Sequence, residues 1–401
     1  MSQDAHSIVV GVPKETFPGE RRVALTPAFV KSLREAGIDV LVEVMAGREA
    51  GFTDADYRDQ GARLISSRSK LIQSADVLLQ VRAMGANPNL GRADIERLHH
   101  GQCLIGLCDP LTKPSFMSKL ADRNVTCFAL ELLPRITRAQ EMDVLSSMAM
   151  ISGYKAVIMA AHTLPRMFPM MMTAAGTITP AKILVLGAGV AGLQAIATSR
   201  RLGAVVSAYD VRQAVKEEVN SLGAKFIEVD LDTNQPGQVG KYASERDDQY
   251  YHRQRELLSD AVAESHVVIT TAAIPGVQAP LLVKEAVIKK MSAGSVLVDL
   301  AAEQGGNCEL TQPNETIVAH DVTIIGAVNL PATIPYHASQ MYSKNITTFL
   351  KHLVKDKAMC LDRDDEIISG TLVTRDGHVV HPQVREQLGL EPTVLSPVGG
   401  N

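Results

Sequence analysis

The segment Lys182 to Arg212, KILVLGAGVAGLQAIATSRRLGAVVSAYDVR, carries the residue types and spacing that a dinucleotide site needs. Gly187-Ala188-Gly189-Val190-Ala191-Gly192 is a GxGxxG run set directly after the apolar stretch Ile183 to Leu186. In such a run the first glycine permits a sharp strand-to-helix turn. The second lets the backbone approach a pyrophosphate, and the third lets the helix pack on the strand. The helix predicted to run to about Arg201 offers unpaired N–H groups and the positive end of its dipole to the same pyrophosphate. A second apolar strand, Ala204 to Tyr209, ends at Asp210, 18 residues beyond Gly192, where a carboxylate can accept hydrogen bonds from ribose hydroxyls. A bare GxGxxG is also met as a chance glycine turn, but here strand, glycines, helix, strand and acid arrive in order. Asp210 points to NAD(H), because a carboxylate repels a 2′-phosphate. Arg212 has two readings: a nearby arginine can receive that phosphate, or it is an exposed side chain flanking the site. NAD is the expected cofactor.

A second group of polar residues lies between an apolar strand and an apolar helix. Arg135, Arg138, Gln140 and Asp143 fall within nine residues, with Ser146 close behind. That grouping predicts a site at an interdomain cleft, with an ion-pair cluster at a domain boundary as the plainer alternative. Thr271-Ala272-Ala273-Ile274-Pro275-Gly276 follows a predicted strand, and its backbone and Pro275 can shape a pocket or form a plain strand-end turn. Asp230 to Arg255 is polar, with Gly237, Gly240 and a tyrosine-rich stretch. It reads either as a surface loop leading into a helix or as a mobile flap over the cofactor.

The elements that must position these residues alternate between strand and helix. Ser7 to Val12 is apolar and β-branched, like a buried parallel strand. Thr26-Pro27 supplies an N-cap residue and a proline for the first helical position, and Gly37 stands where a helix should end. Strands are predicted at Asp39 to Val44, Val77 to Val81, Gln102 to Leu107 and Val125 to Ala129, with helices near Asp54 to Gln60 and over Pro114 to Arg123. A long helix follows Leu145 to about Leu164. Later strands fall at Phe226 to Val229, Val267 to Thr271, Ser295 to Leu300 and Thr323 to Gly326. Ser339 to Val354 reads as a helix crossing back to the first domain, and Glu366 to Val380 as a hairpin turned at Arg375-Asp376-Gly377. The fold class is therefore α/β, with two Rossmann-like doubly wound domains and the cofactor in the cleft between them. The first domain takes residues 1–144 and 336–401, and the NAD(H)-binding domain takes 145–335.

Composition narrows the partners. A chain of 401 residues supports about two domains, and 46% hydrophobic with 21% charged residues is ordinary for a globular protein. A net charge of −4, 4% aromatics and no Trp give no reason to expect nucleic acid. Five scattered cysteines without a CxxC fit a reducing compartment and suggest neither a disulfide framework nor a metal site. The start, MSQDAHSIVV, has no basic segment followed by an apolar core, so no signal peptide is expected. The uncharged runs Met167 to Ala181 and Ile183 to Ser199 are read as non-spanning, and the chain as soluble by itself.

Taken together, these residues resemble the NAD(H)-binding first domain of proton-translocating NAD(P) transhydrogenase, from the alpha subunit, within the wider group that includes alanine dehydrogenase. The resemblance covers nearly the whole chain. It rests on Val12-Pro13-Lys14-Glu15 through Arg21-Arg22-Val23-Ala24-Leu25-Thr26-Pro27, on Pro134 to Ser147 (PRITRAQEMDVLSS) followed by Gly153-Tyr154, on Phe168 to Gly176, and on Val298 to Asn307 (VDLAAEQGGN). The Arg138-Ala139-Gln140 segment is similar to the transhydrogenase branch in particular.

The resemblance implies roles. Gln140 looks like the residue that contacts the nicotinamide and steers its ring toward a partner domain, with Arg135, Asp143 and Ser146 as neighbours that fix the carboxamide and one another. Tyr242 matches the family's mobile-loop tyrosine. Ala272, Ala273, Pro275, Gly276 and Asn307 join Gly187, Gly189, Val190, Ala191, Gly192, Asp210 and Arg212 as cofactor-binding residues. It further implies a split alpha-1 subunit with Re/Si-specific hydride transfer from NADH to NADP+, coupled to proton translocation. NADP(H) would be bound by the beta subunit and not by this chain. A homodimer would dock peripherally, through the membrane-bound alpha-2 and beta subunits, on the cytoplasmic face of the membrane.

The alanine dehydrogenase branch needs a cation, a lysine and a histidine beside the nicotinamide. Arg22 is present, but Arg82 stands at the lysine position, Glu303 stands at the position of its aspartate, and Gly101 to Pro110 contains no histidine. Arginine stays protonated and cannot exchange a proton. Two alternatives remain in view: an amino-acid dehydrogenase, and a non-catalytic NAD(H)-binding regulatory module.

Overall fold

The computed structural model describes residues 7–228, 256–273 and 276–391. The chain forms two compact units: Met1–Met148 with Pro331–Asn401, and Ala149–Leu330.

The first unit opens with six parallel strands, β1 (Val9–Val12), β2 (Asp39–Glu43), β3 (Arg63–Ile65), β4 (Val77–Arg82), β5 (Cys103–Leu107) and β6 (Thr126–Ala129). Proline stands at the start of helices Pro27–Glu35 and Pro114–Asp122, where the missing N–H costs nothing. Thr26 occupies the N-cap position of the first of these, but its side chain makes no capping bond. Its N–H instead donates to Ser343 Oγ at 2.9 Å, so a distant residue takes over the local role.

In the second unit a small hairpin, β7 (Met171–Thr173) and β8 (Gly176–Ile178), precedes a seven-stranded sheet. Its strands are β9 (Lys182–Leu186), β10 (Val205–Tyr209), β11 (Lys225–Phe226), β12 (Val267–Thr270), β13 (Val296–Asp299), β14 (Thr316–Ala319) and β15 (Val322–Gly326), in the order β11-β10-β9-β12-β13-β15-β14. All pairs are parallel except β14 with β15. The strand order reverses between β9 and β12, so the carboxyl ends of these two strands flank a topological switch point, the usual place for a ligand in a doubly wound sheet. Ile183 and Val185 enter one core with Val206, Ile269 and Val298. Leu184 and Leu186 enter the opposite one with Val268, Leu297 and Ile324. Burial on both faces explains why β9 is apolar throughout.

Helix Val144–Thr163 has the length and hydropathy of a spanning helix, at 20 residues and 1.5. Ala156, Val157 and Ala160 nevertheless lie in the core beneath β9, which is the behaviour of a buried core helix. Its Gly153 meets the dinucleotide-type helix backbone to backbone, since a Cβ there would fall 2.1 Å from the Ala191 carbonyl oxygen.

The chain then returns to the first unit through helix Pro335–Leu353, a short hairpin of β16 (Val354–Lys355) and β17 (Ala358–Met359), and β18 (Leu372–Arg375) with β19 (His378–Val379). Strand β18 pairs antiparallel with β6, giving the order β19-β18-β6-β5-β4-β1-β2-β3. The turn at Asp376-Gly377 is as expected, but Glu366–Thr371 is a helix and not the first arm of a hairpin. Asp365 decides this locally: its carboxylate accepts the Ile367 N–H at 2.8 Å and caps the helix. The strand predicted at Phe226 to Val229 is observed as the two residues of β11.

Candidate functional site

The strand-turn-helix at Lys182 to Arg201 is built as its glycines require. Gly187 follows β9 with φ +99°, a conformation open to glycine at little cost. A Cβ at Gly192 would fall 1.9 Å from the Gly187 carbonyl oxygen, so helix Val190–Arg201 packs on the turn only without a side chain there. At Gly189 a Cβ would meet nothing within 4 Å, which leaves the backbone open to close approach from outside. Gly189 is also the N-cap, and the helix starts without a side-chain cap, with Val190 exposed and Ala191 half-buried. The first-turn N–H groups therefore suit an anionic ligand.

Asp210, at the end of β10, is buried and bonded on both oxygens. Oδ2 accepts the Ala188 N–H at 2.7 Å and Arg212 Nη2 at 3.0 Å. Oδ1 accepts the Arg212 N–H at 2.8 Å and Nε at 3.0 Å. Burial pushes the Asp210 carboxyl up, and the bonds and charge of Arg212 with the Ala188 N–H outweigh it, leaving the group below its ordinary value. Arg212 is exposed, so the pair closes from the solvent side.

Across the switch point, Thr271 Oγ1 donates to the Gly187 carbonyl at 3.0 Å. Asn307 is fully buried and spends its side chain on the next turn. Its Oδ1 accepts the Ala272 N–H at 3.0 Å, and its Nδ2 donates to the carbonyls of Ala272 and Pro280, both at 2.8 Å. Ala273 and Gly276 are exposed, and Gly276 has φ +75°. Pro275 and Tyr242, with the segment Asp230 to Arg255, lie outside the described residues. Sequence reasoning missed the Thr271 side chain and gave Asp299 no role of its own; the only signal was one acid closing an otherwise apolar strand ahead of Gly305-Gly306.

In the first unit, residues Thr137–Met142 form a 3-10 turn anchored by Ala139 and Met142, both buried. Gln140 and Arg135 are exposed and make no side-chain hydrogen bond or ion pair among the described residues. Arg138 is held by Asp365 at 3.2 and 3.3 Å, and Asn345 Nδ2 donates to the Glu141 carbonyl at 2.8 Å. Both anchors come from the returning C-terminal segment and were not foreseen. Asp143 and Ser146 bond to each other at the start of helix Val144–Thr163.

The residues around Arg22 are also paired. Arg22 Nε and Nη2 donate to the two oxygens of Glu20 at 2.7 and 2.6 Å, with both side chains buried. Arg82 Nε lies 3.6 Å from the same carboxylate, and its guanidinium sits 4.3 Å over the Phe17 ring. Glu15 accepts the N–H groups of Val81 and Arg82. Burial, with the nearby Glu20 charge, pushes its carboxyl up to about 7. A substrate carboxylate would have to compete with Glu20 for both arginines.

The fold defines the class as a two-domain Rossmann-like α/β protein. The chain belongs to the alanine dehydrogenase/PNT family: residues 11–152 match the model of its N-terminal domain and 156–382 that of its C-terminal domain. It is 45% identical to the first of the split alpha-subunit chains of NAD(P) transhydrogenase from Rhodospirillum rubrum, over 94% of this chain and 99% of that protein. The crystal structure of transhydrogenase from Sinorhizobium meliloti superposes with a TM-score of 0.83 at 45% identity, covering 93% of this chain and all (100%) of that one. Alanine dehydrogenase of Mycobacterium tuberculosis is 28% identical over 95% of this chain and 97% of its own length.

Proposed function

We propose that this chain is the NAD(H)-binding subunit of a proton-translocating, Re/Si-specific transhydrogenase. The observation that carries the reading is the open glycine turn at the β9/β12 switch point, with Asp210 bonded into it through the Ala188 N–H. In this reading the Gly189–Gly192 turn and the helix start hold the pyrophosphate, Asp210 takes the adenosine ribose, and the Ala272 turn with Ala273, Pro275, Gly276 and Asn307 supports the nicotinamide half. Tyr242 closes over it. Gln140, projecting from its 3-10 turn, sets the ring angle, with Arg135 beside it and Asp143 and Ser146 fixing the end of that turn.

When bound, NADH supplies a hydride from C4 that joins C4 of NADP+ on a partner domain. The protein then has to position the rings and exclude water, and needs no proton donor or acceptor of its own. The pairing of Arg22 and Arg82 with Glu20 favours this over alanine oxidation, which requires a free cation and an acid-base group. The subunit would act as a homodimer. It would dock from the cytoplasmic face onto the membrane-bound alpha-2 and NADP(H)-binding beta subunits.

The test mixes the purified chain with an isolated NADP(H)-binding domain of a transhydrogenase and follows hydride transfer to an NAD analogue, with L-alanine plus NAD in parallel. Transfer only when the domain is present is the expected result. Turnover of alanine alone would assign the chain to the dehydrogenase branch, and NADH binding with neither activity would make it a regulatory module.

A further inference from the structure

Asp299, the last residue of β13, is fully buried and accepts hydrogen bonds from five donors. Thr270 Oγ1 and the Ala301 N–H reach Oδ1 at 2.8 and 2.9 Å. The N–H groups of Asn307 and Cys308 and the Thr311 hydroxyl reach Oδ2 at 2.7, 3.1 and 2.7 Å. The Gly305-Gly306 turn wraps this carboxylate so closely that a Cβ on Gly306 would fall 2.9 Å from Oδ2. Bonds to an ionised acceptor are stronger than neutral ones, and burial strengthens them further. One carboxylate thus fixes the path of 299–311.

What that path delivers is the Asn307 side chain. It grips both polar groups of Ala272 at the carboxyl end of β12, and the adjoining Thr271 hydroxyl ties β12 to the Gly187 turn. The links run without a break from Asp299 on β13, through Asn307 and Ala272–Thr271 on β12, to Gly187 on β9. They span the switch point on which the proposed NADH site rests.

We propose that Asp299 is a positioning residue for NADH: through Asn307 it holds the Ala272 turn at a fixed spacing from the Gly187 turn, and so sets the affinity for the cofactor. The proposal rests on the NAD(H)-binding reading above. Its requirement is chemical as well as steric. An amide at 299 keeps the shape but aims an NH2 group at donors that need an acceptor, leaving buried N–H groups unsatisfied.

The test is Asp299→Asn in the full-length chain, with three readouts. Exchange of the Ala272 amide, measured without nucleotide, should speed up while amides of the core strand β9 stay protected. NADH affinity, followed by its fluorescence, should weaken by about tenfold, the scale of one lost hydrogen bond to a charged group. With the NADP(H)-binding domain added, KM for NADH should rise and kcat at saturation should stay near wild type. Thr311→Val, which removes one of the five donors, should give a smaller shift of the same kind and keeps the test open where Asp299→Asn fails to fold. Unchanged Ala272 exchange, or unchanged NADH affinity in a variant whose wild type binds NADH, overturns the proposal. A wild-type chain that binds no NADH overturns the cofactor reading beneath it.

Discussion

Asp143 accepts two bonds from Ser146, the backbone N–H at 2.9 Å on Oδ1 and the hydroxyl at 2.5 Å on Oδ2. Ser146 stands three residues on, at the third position of helix Val144–Thr163, so Asp143 is the N-cap of that helix. The same residue ends the turn that carries Gln140. Asp143→Ala should cost about 1 kcal/mol and lower the melting temperature by roughly 2–4 °C without nucleotide. Asp143→Asn should keep most of that stability, since asparagine caps well. An alanine variant that melts like wild type would remove the capping role.

Gln140 is exposed, and among the described residues its side chain is uncommitted, so its proposed task lies outside the chain. Gln140→Asn draws the amide back by one methylene while leaving Ala139 and Met142 to hold the turn. Hydride transfer to NADP+ on the partner domain should fall by about tenfold or more, because small misplacements of reacting centres are costly. NADH affinity should stay close to wild type. Equal losses in both would make Gln140 structural.

Arg212 occupies Asp210 with two side-chain bonds, positions that ribose hydroxyls would otherwise take. In Arg212→Ala the Asp210 carboxyl should move back up, since the bonds and charge that hold it down are gone. NADH affinity at neutral pH should hold or improve up to about threefold, a change worth under 1 kcal/mol. NADPH binding should weaken, because the cation beside the 2′ position is lost. Comparative titration with the two nucleotides decides this, and a steep loss of NADH binding would show that Arg212 touches the cofactor directly.

Glu131 accepts the N–H groups of Cys108 and Asp109 on Oε1, while Oε2 is buried without a partner. Burial pushes its carboxyl up to about 7 from 4.5, the N–H bonds offset part of this, and the neighbouring Asp109 charge adds to it. The folded state therefore holds a proton that the unfolded state has released between those values. The stability this contributes is fully present below about 4.5 and is lost as pH rises through about 7. Glu131→Gln keeps the acceptor for both N–H groups and removes the titration. Urea unfolding at pH 5 and pH 8 should show the wild type losing more stability than the variant over that interval. Parallel losses would mean that Glu131 does not titrate there.

What the sequence could specify was local. Gly187, Gly189 and Gly192, the apolar strand ahead of them and Asp210 beyond the next strand sit within one continuous stretch, where backbone geometry and spacing decide the structure. The alternation of apolar strands and capped helices was legible for the same reason. Even close by, competing local rules misled: Glu366 to Thr371 is rich in β-branched residues, and the Asp365 cap made it a helix.

Tertiary structure decided everything that depends on distant partners. Asn345 and Asp365 reach the Gln140 turn from more than 200 residues away, at sequence separations of 204 and 227. Ser343 displaces the capping role of Thr26, and β18 completes the first sheet against β6. Asp299 reads in the sequence as one acid at the end of an apolar strand. Only the fold brings Thr270, Ala301, Asn307, Cys308 and Thr311 around it. A buried carboxylate must find its donors wherever the chain returns, and no spacing rule along the sequence records where that is.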